Sequence, residues 1–170
     1  MSAHRSTLRS LTILLAAALL TACMGPPPRD PAAIAKAYLE ADRFDEASRE
    51  MEIAVRRQPE DVELRMEAAR IHAAAAHVDR AIDHLEAAQG MAPRNPEVAI
   101  LIGELEQRRG NPTDAYVAFR RAVALVPDDV RAVSGLALSA EALGFDDEAA
   151  EAYRHWEELD EPAAPAAPRK

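Results

Sequence analysis

The chain has a single cysteine, Cys23, in 170 residues. No disulfide can form within it, so cysteine usage is silent on the redox compartment. Aromatic residues are also scarce, at 4% of a chain that is 49% hydrophobic. That leaves few bulky anchors of the kind a β-sandwich core uses, and alanine, about a fifth of all residues, points instead to closely packed helices. Positive charge is in deficit, with 20 Lys and Arg against 29 Asp and Glu for a net charge of −9. An acidic body repels phosphate backbones and anionic lipid surfaces, which argues against a nucleic-acid partner. Catalytic motifs are missing too. There is no Gly-x-Ser-x-Gly elbow or phosphate-binding glycine loop, and Ser134 and Ser139 lie in a predicted helix with no histidine nearby in sequence. The acids at Asp128-Asp129 and Asp146-Asp147-Glu148 open helices, where the positive end of the dipole accounts for them. No enzyme activity and no cofactor are expected.

A long hydrophobic run is lacking as well. The apolar stretch Leu11 to Ala22, interrupted by Thr12 and Thr21, would cover roughly 18 Å as a helix, against a hydrocarbon core about 30 Å thick. It follows a segment holding Arg5 and Arg9 and no acid, which is the pattern of a secretory signal peptide. A cut after Ala22 would place Leu20 third from the bond, where ordinary cleavage sites want a small residue. Leu20-Thr21-Ala22-Cys23 instead resembles the lipobox of bacterial lipoproteins. The resemblance implies removal of residues 1–22, a diacylglyceryl group on the Cys23 thiol and usually an acylated new amino terminus. Two or three acyl chains anchor firmly where one holds only marginally. Met24 follows the cysteine, and the lack of an aspartate there points, by the same resemblance, to the outer membrane facing the periplasm. Residues 23–30 then form a lipidated, proline-rich tether, whose seven residues after the cysteine reach roughly 22 Å as polyproline II.

Beyond that tether the sequence repeats. Pro59, Pro93 and Pro127 are spaced by 34 residues, and Pro162 comes one residue late. On the same ruler stand Ala47, Ala81, Ala115 and Ala149, and the larger column Met51, Leu85, Phe119 and Tyr153. A third column reads Ala54, Ala88, Ala122 and then Trp156. Asp61, Asn95 and Asp128 are good N-caps after the closing prolines, with Pro96 and Asn111-Pro112 at further helix starts. Runs such as "AIDHLEAAQGM" and "DAYVAFRRAVALV" carry helical periodicity. A 34-residue period with small residues at these places and a closing proline resembles the tetratricopeptide repeat. The fold expected is all-α: a superhelix of about four helix-turn-helix repeats, eight antiparallel helices, over residues 31–160. The repeats run about 28–61, 62–95, 96–129 and 130–163. In the first helices the small slot holds Ala35, Ala69, Gly103 and Ala137, and the aromatic slot Tyr38, His72, Glu106 and Ala140. The inter-helix turn keeps Gly110 and Gly144 but has Asp42 and Ala76 earlier. Residues 161–170, rich in proline and alanine, are expected to be disordered.

Such repeats bury apolar faces by stacking and leave a concave surface. Two ladders at the 34-residue period should face it. One runs Ala32, Met66, Ile100, Ser134, and the other Lys36, Arg70, Glu104, Leu138. The candidate peptide-binding groove is therefore Lys36, Met66, Arg70, Ile100, Glu104 and Leu138, apolar in the middle, positive near the first two repeats and negative further on. Tyr153, Trp156 and Leu159 on the last helix must cover its end, either as a lid on the fourth repeat or as a patch for a partner or second copy. His72, His77 and His84 do not share one helix face. His72 and His77 lie about 140° apart, and His84 falls on the next helix, so packing or surface roles are expected and no metal. By resemblance, small repeat lipoproteins of this build serve as pilotins in pilus assembly or secretion, as partners of outer-membrane protein assembly, or as adaptors for cell-wall hydrolases. The expected function is an envelope adaptor or assembly factor that binds other envelope proteins or peptides. A self-assembling structural subunit is the alternative, and the oligomeric state stays open.

Overall fold

Helix starts are written into the sequence as side-chain caps, and the computed structural model places the helices at them. It describes residues 30–160. The expected signal peptide, Cys23, the tether short of Asp30 and the 161–170 tail lie outside the described residues. Within them are eight helices and no strand. They are α1 (Pro31–Glu40), α2 (Phe44–Arg57), α3 (Val62–Ala74), α4 (Val78–Met91), α5 (Pro96–Arg109), α6 (Pro112–Leu125), α7 (Val130–Ala142) and α8 (Asp146–Asp160). Asp30, Asp61, Asn95, Asn111 and Asp129 each accept a hydrogen bond from an amide of the first turn. Pro31, Pro96 and Pro112 stand where the missing N–H is not needed. The expected cap Asp128 is corrected by one residue: Asp129 caps α7 through the amides of Arg131 and Ala132 at 3.0 and 3.1 Å. Asp129, not Asp128, continues the 34-residue column of Asp61 and Asn95, and the Asp128 carboxylate is engaged with His155 at 3.2 Å.

Helices pair as α1/α2, α3/α4, α5/α6 and α7/α8, and each pair stacks on the next. All four pairs turn in one way. The first helix of each ends at a residue in the left-handed region: Asp42 (φ 56°), Ala76 (60°), Gly110 (79°) and Gly144 (75°). The amide just after it donates back across the turn, Arg43 to Tyr38 O, His77 to His72 O, Asn111 to Glu106 O and Phe145 to Ala140 O, all at 2.8 to 2.9 Å. The small-slot residues Ala35, Ala69, Gly103 and Ala137 are all buried, which lets partner helices approach closely. The apolar columns form three clusters along the stack. Met51 lies in the first, Leu85 in the second and Phe119 in the third, each essentially without exposure. Among the described residues no helix is long and apolar enough to cross a membrane.

Candidate functional site

The first helices lie in a row, and ion pairs stitch each to the next. Lys36 on α1 meets Glu67 on α3 at 2.9 Å, and Arg70 on α3 meets Glu97 on α5 at 3.0 Å. Arg131 on α7 reaches back to α5, pairing with Glu97 and lying 3.6 Å from Glu104. Burial pushes the Glu97 carboxyl up, but Arg131 and Arg70 together outweigh it and hold the group below the ordinary carboxylate range. Glu104 goes the other way, raised chiefly by burial. The expected change from a positive to a negative groove is therefore largely cancelled within the protein. Lys36 and Arg70 are neutralised by acids of the following repeat, and Glu104 sits beside an arginine.

The two ladders fare differently. Lys36, Arg70 and Leu138 are exposed and Glu104 is half-buried, so this ladder faces solvent. Met66 and Ile100 do not. At 2% and 1% exposure they are core residues of the second and third clusters, and their place in the candidate groove is corrected. Their helix face turns toward the joint with the neighbouring repeat, where stacking removes apolar side chains from water. What the inner face offers instead is a hollow of about 320 Å³ between α3 and α5. Ala69, Ala73, Leu101 and Leu105 line its apolar wall, with Arg70 and Glu104 at its edge. Leu101, which neither ladder included, is part of that wall. It directly follows Ile100, so a one-residue error in the helix face separates the two. Leu138 lies over a second depression with Gln107, Pro112 and Ala142.

At the other end of the stack, Tyr153 packs against the third cluster and donates from its hydroxyl to Glu141 at 2.5 Å. Trp156 is half-buried and stacks on Tyr153 with ring centroids 6.2 Å apart. Leu159 is half-buried as well. A shallow depression borders Tyr153, Trp156, Glu157 and Asp160.

A second polar constellation lies at the joint of the first two repeats. His72 Nε2 and His84 Nε2 are 3.0 and 3.1 Å from the same oxygen, Oε1 of Glu52. The two rings lie near parallel, 16° apart, with centroids separated by 5.2 Å. His72 is wholly buried, as expected for its packing slot. Spacing along one helix could not foresee the rest, because the three residues come from α2, α3 and α4. Burial pushes the His72 imidazole below its ordinary value, although the hydrogen bond it donates to Glu52 opposes this. For Glu52 burial acts upward, and His84 and His72 together pull the carboxyl lower than its usual range.

Antiparallel helix pairs stacked on a 34-residue period, with small residues buried between them and one row of helices open to solvent, define a helical-repeat interaction module. The chain belongs to the tetratricopeptide repeat family, whose pattern matches residues 32–96 and 100–168. Solved structures agree on the fold. A crystal structure of MamA superposes with a TM-score of 0.71 at 19% identity, covering 77% of each chain. A second MamA structure gives 0.71 at 22% identity over 76% of this chain and 70% of the other. A MamA from MSR-1 gives 0.69 at 22% identity over 79% and 77%. No curated protein matches the sequence. Members of the repeat family are generally interaction modules and not enzymes, and protein–protein binding is the function the fold supports.

Proposed function

We propose that this chain is a lipid-anchored adaptor of the bacterial cell envelope that holds a partner's peptide segment on the inner face of its repeats. The observation that carries the reading is the hollow between α3 and α5. It presents an apolar wall of Ala69, Ala73, Leu101 and Leu105 between the guanidinium of Arg70 and the carboxylate of Glu104. A wall of that kind suits an aliphatic side chain of an extended or helical segment. The wider charge pattern is self-paired, so recognition rests on shape and apolar contact more than on long-range steering. The anchor is supported by Leu20-Thr21-Ala22-Cys23 behind a short apolar run. A short tether would hold the repeats close to the bilayer, which favours partners belonging to membrane-bound machinery. Among such machineries pilus assembly or secretion is the reading we adopt, on the likeness to compact repeat stacks behind a lipobox.

The test is site-specific photo-crosslinking in intact envelopes with the probe at position 73, on the same wall as Leu101. Capture of an envelope protein that is lost when Leu101→Asp is added is expected. Failure to capture any envelope protein overturns the adaptor reading. The anchor is tested separately: a Cys23→Ser form that stays on membranes through a high-salt wash would overturn lipidation while leaving the groove untouched.

A further inference from the structure

The groove does not involve the Glu52–His72–His84 constellation, and the fold does not need it. Two repeat periods on, the slots of His72 and His84 are taken by Ala140 and Ala152, both buried in the apolar cluster of the last joint. One period on, the His72 slot holds the buried Glu106 and the His84 slot Ala118, so stacking at these positions does not require an imidazole. Two imidazoles converging on one carboxylate oxygen ask for another explanation.

We propose that Glu52, His72 and His84 form a binding site for one divalent transition-metal ion, with zinc the best match. Their donor atoms all lie within 4.8 Å of one another. Bond lengths of about 2.1 Å in a tetrahedral zinc site put neighbouring ligand atoms roughly 3.3 Å apart. The present separations of 3.0 and 3.1 Å need to open by only a few tenths of an ångström. Two imidazoles and a carboxylate form a set that zinc takes readily while keeping a fourth position open. The cleft beside Glu52, a space of about 520 Å³ bordered by Asp45, Arg49, Arg56, His77 and Arg80, leaves room for it. Three guanidiniums against the one further carboxylate favour an anion as the fourth ligand.

The surroundings supply further support. Metal on Nε2 of His72 moves the ring proton to Nδ1, which is buried and has no hydrogen-bond partner. The adjoining ring is that of His77, with centroids 5.9 Å apart, and its own Nδ1 is also buried and without a partner. Closing that gap would satisfy both nitrogens, as outer partners of metal-bound histidines do.

Titration of the full-length chain with Co²⁺ at neutral pH tests the proposal through the visible absorption of the bound ion. Saturation at one Co²⁺ per chain and displacement by Zn²⁺ are expected. Glu52→Gln and His84→Gln should each weaken uptake by more than the roughly hundredfold that loss of an outer partner can cause. Helicity measured by circular dichroism identifies variants that keep the fold. A reading independent of any variant comes from the imidazole nitrogens of the wild-type chain observed by NMR. Zn²⁺ should shift those of His72 and His84 and leave those of His155, on α8, in place. No saturable Co²⁺ uptake, full uptake in a folded Glu52→Gln chain, or shifts confined to other histidines would overturn the site.

Discussion

The two ends of this stack solve the same packing problem with different chemistry. In the last two repeats the ring of Phe119 lies between Gly103 on α5 and Gly135 on α7, and the turns carry Gly110 and Gly144. In the first two, the column residues are Met51 and Leu85, the turns carry Asp42 and Ala76 in the same left-handed geometry, and the imidazoles of His72 and His84, both on Glu52, take slots that hold alanine in the last repeat. The C-terminal half has glycine wherever the backbone or a ring demands it. The N-terminal half accepts backbone strain at its turns and a buried pair of imidazoles. Since repeats interact only with neighbours, such differences should remain local, and that makes the comparison testable.

Phe119→Ala should have the largest effect, about 3 to 5 kcal/mol, because it empties a fully buried ring site whose glycine walls have no side chains to fill it. Hydrogen exchange should show the lost protection concentrated in α5–α8, with α1–α4 much less affected. A uniform loss over all eight helices would mean that the halves fold as one unit and that the contrast is only chemical. Gly135→Ala comes next, at about 1 to 3 kcal/mol of destabilisation. An added Cβ would lie 2.4 Å from the ring, and the ring has little room to shift, because a Cβ placed at Gly103 would likewise come within 2.7 Å of it. Combining Gly135→Ala with Phe119→Leu should recover part of the loss, a coupling that a double-mutant cycle measures.

The turns offer a smaller effect of opposite sign. Ala76 adopts φ 60°, which costs an L-residue about 1 to 2 kcal/mol, and glycine would relieve it at some expense in unfolded-state entropy. Ala76→Gly should therefore stabilise by about 0.5 to 1 kcal/mol, and Gly110→Ala should destabilise by a similar amount in thermal melts. If Ala76→Gly lowers the melting temperature, the idea that the N-terminal half carries turn strain is wrong.

Legibility in the sequence divides along physical lines. Period, helix pairing and core columns could be read because each is a local pattern repeated four times: Ala47, Ala81 and Ala115 behave alike. The turn geometry at Asp42 and Ala76 could be inferred from Gly110 and Gly144, which occupy the same slot in the later repeats. The binding face was only half legible. The ladder of Lys36, Arg70, Glu104 and Leu138 reaches solvent, whereas Met66 and Ile100 turn into the joints, because a rotation of one residue about the helix axis separates groove from core. The partners of Lys36 and Arg70 lie 31 and 27 residues away. Glu52 was invisible for the same reason, since its meeting with His72 and His84 joins three helices. Single-helix spacing cannot register contacts made by superhelical stacking.

The smallest expected effect lies between the two halves, at Glu97, which joins Arg70 of the second repeat to Arg131 of the fourth. Its carboxyl is held below the ordinary value because the two guanidiniums outweigh the effect of burial. A carboxyl lowered on folding adds stability that is fully present above its unfolded value, about 4.5, and disappears as pH falls through the folded value. Glu97→Gln should therefore lower stability by about 0.5 to 1 kcal/mol near neutral pH, a modest figure because the pairs are partly solvated and open to screening by salt. The difference from wild type should shrink as acid protonates Glu97, and shrink likewise in molar salt. Thermal melts of both chains across that range check the sign. A gap that persists in acid would show that Glu97 acts through packing and not charge. The link between the repeats would then be apolar throughout, and the ion-pair row would be an ornament of the inner face without a part in holding the halves together.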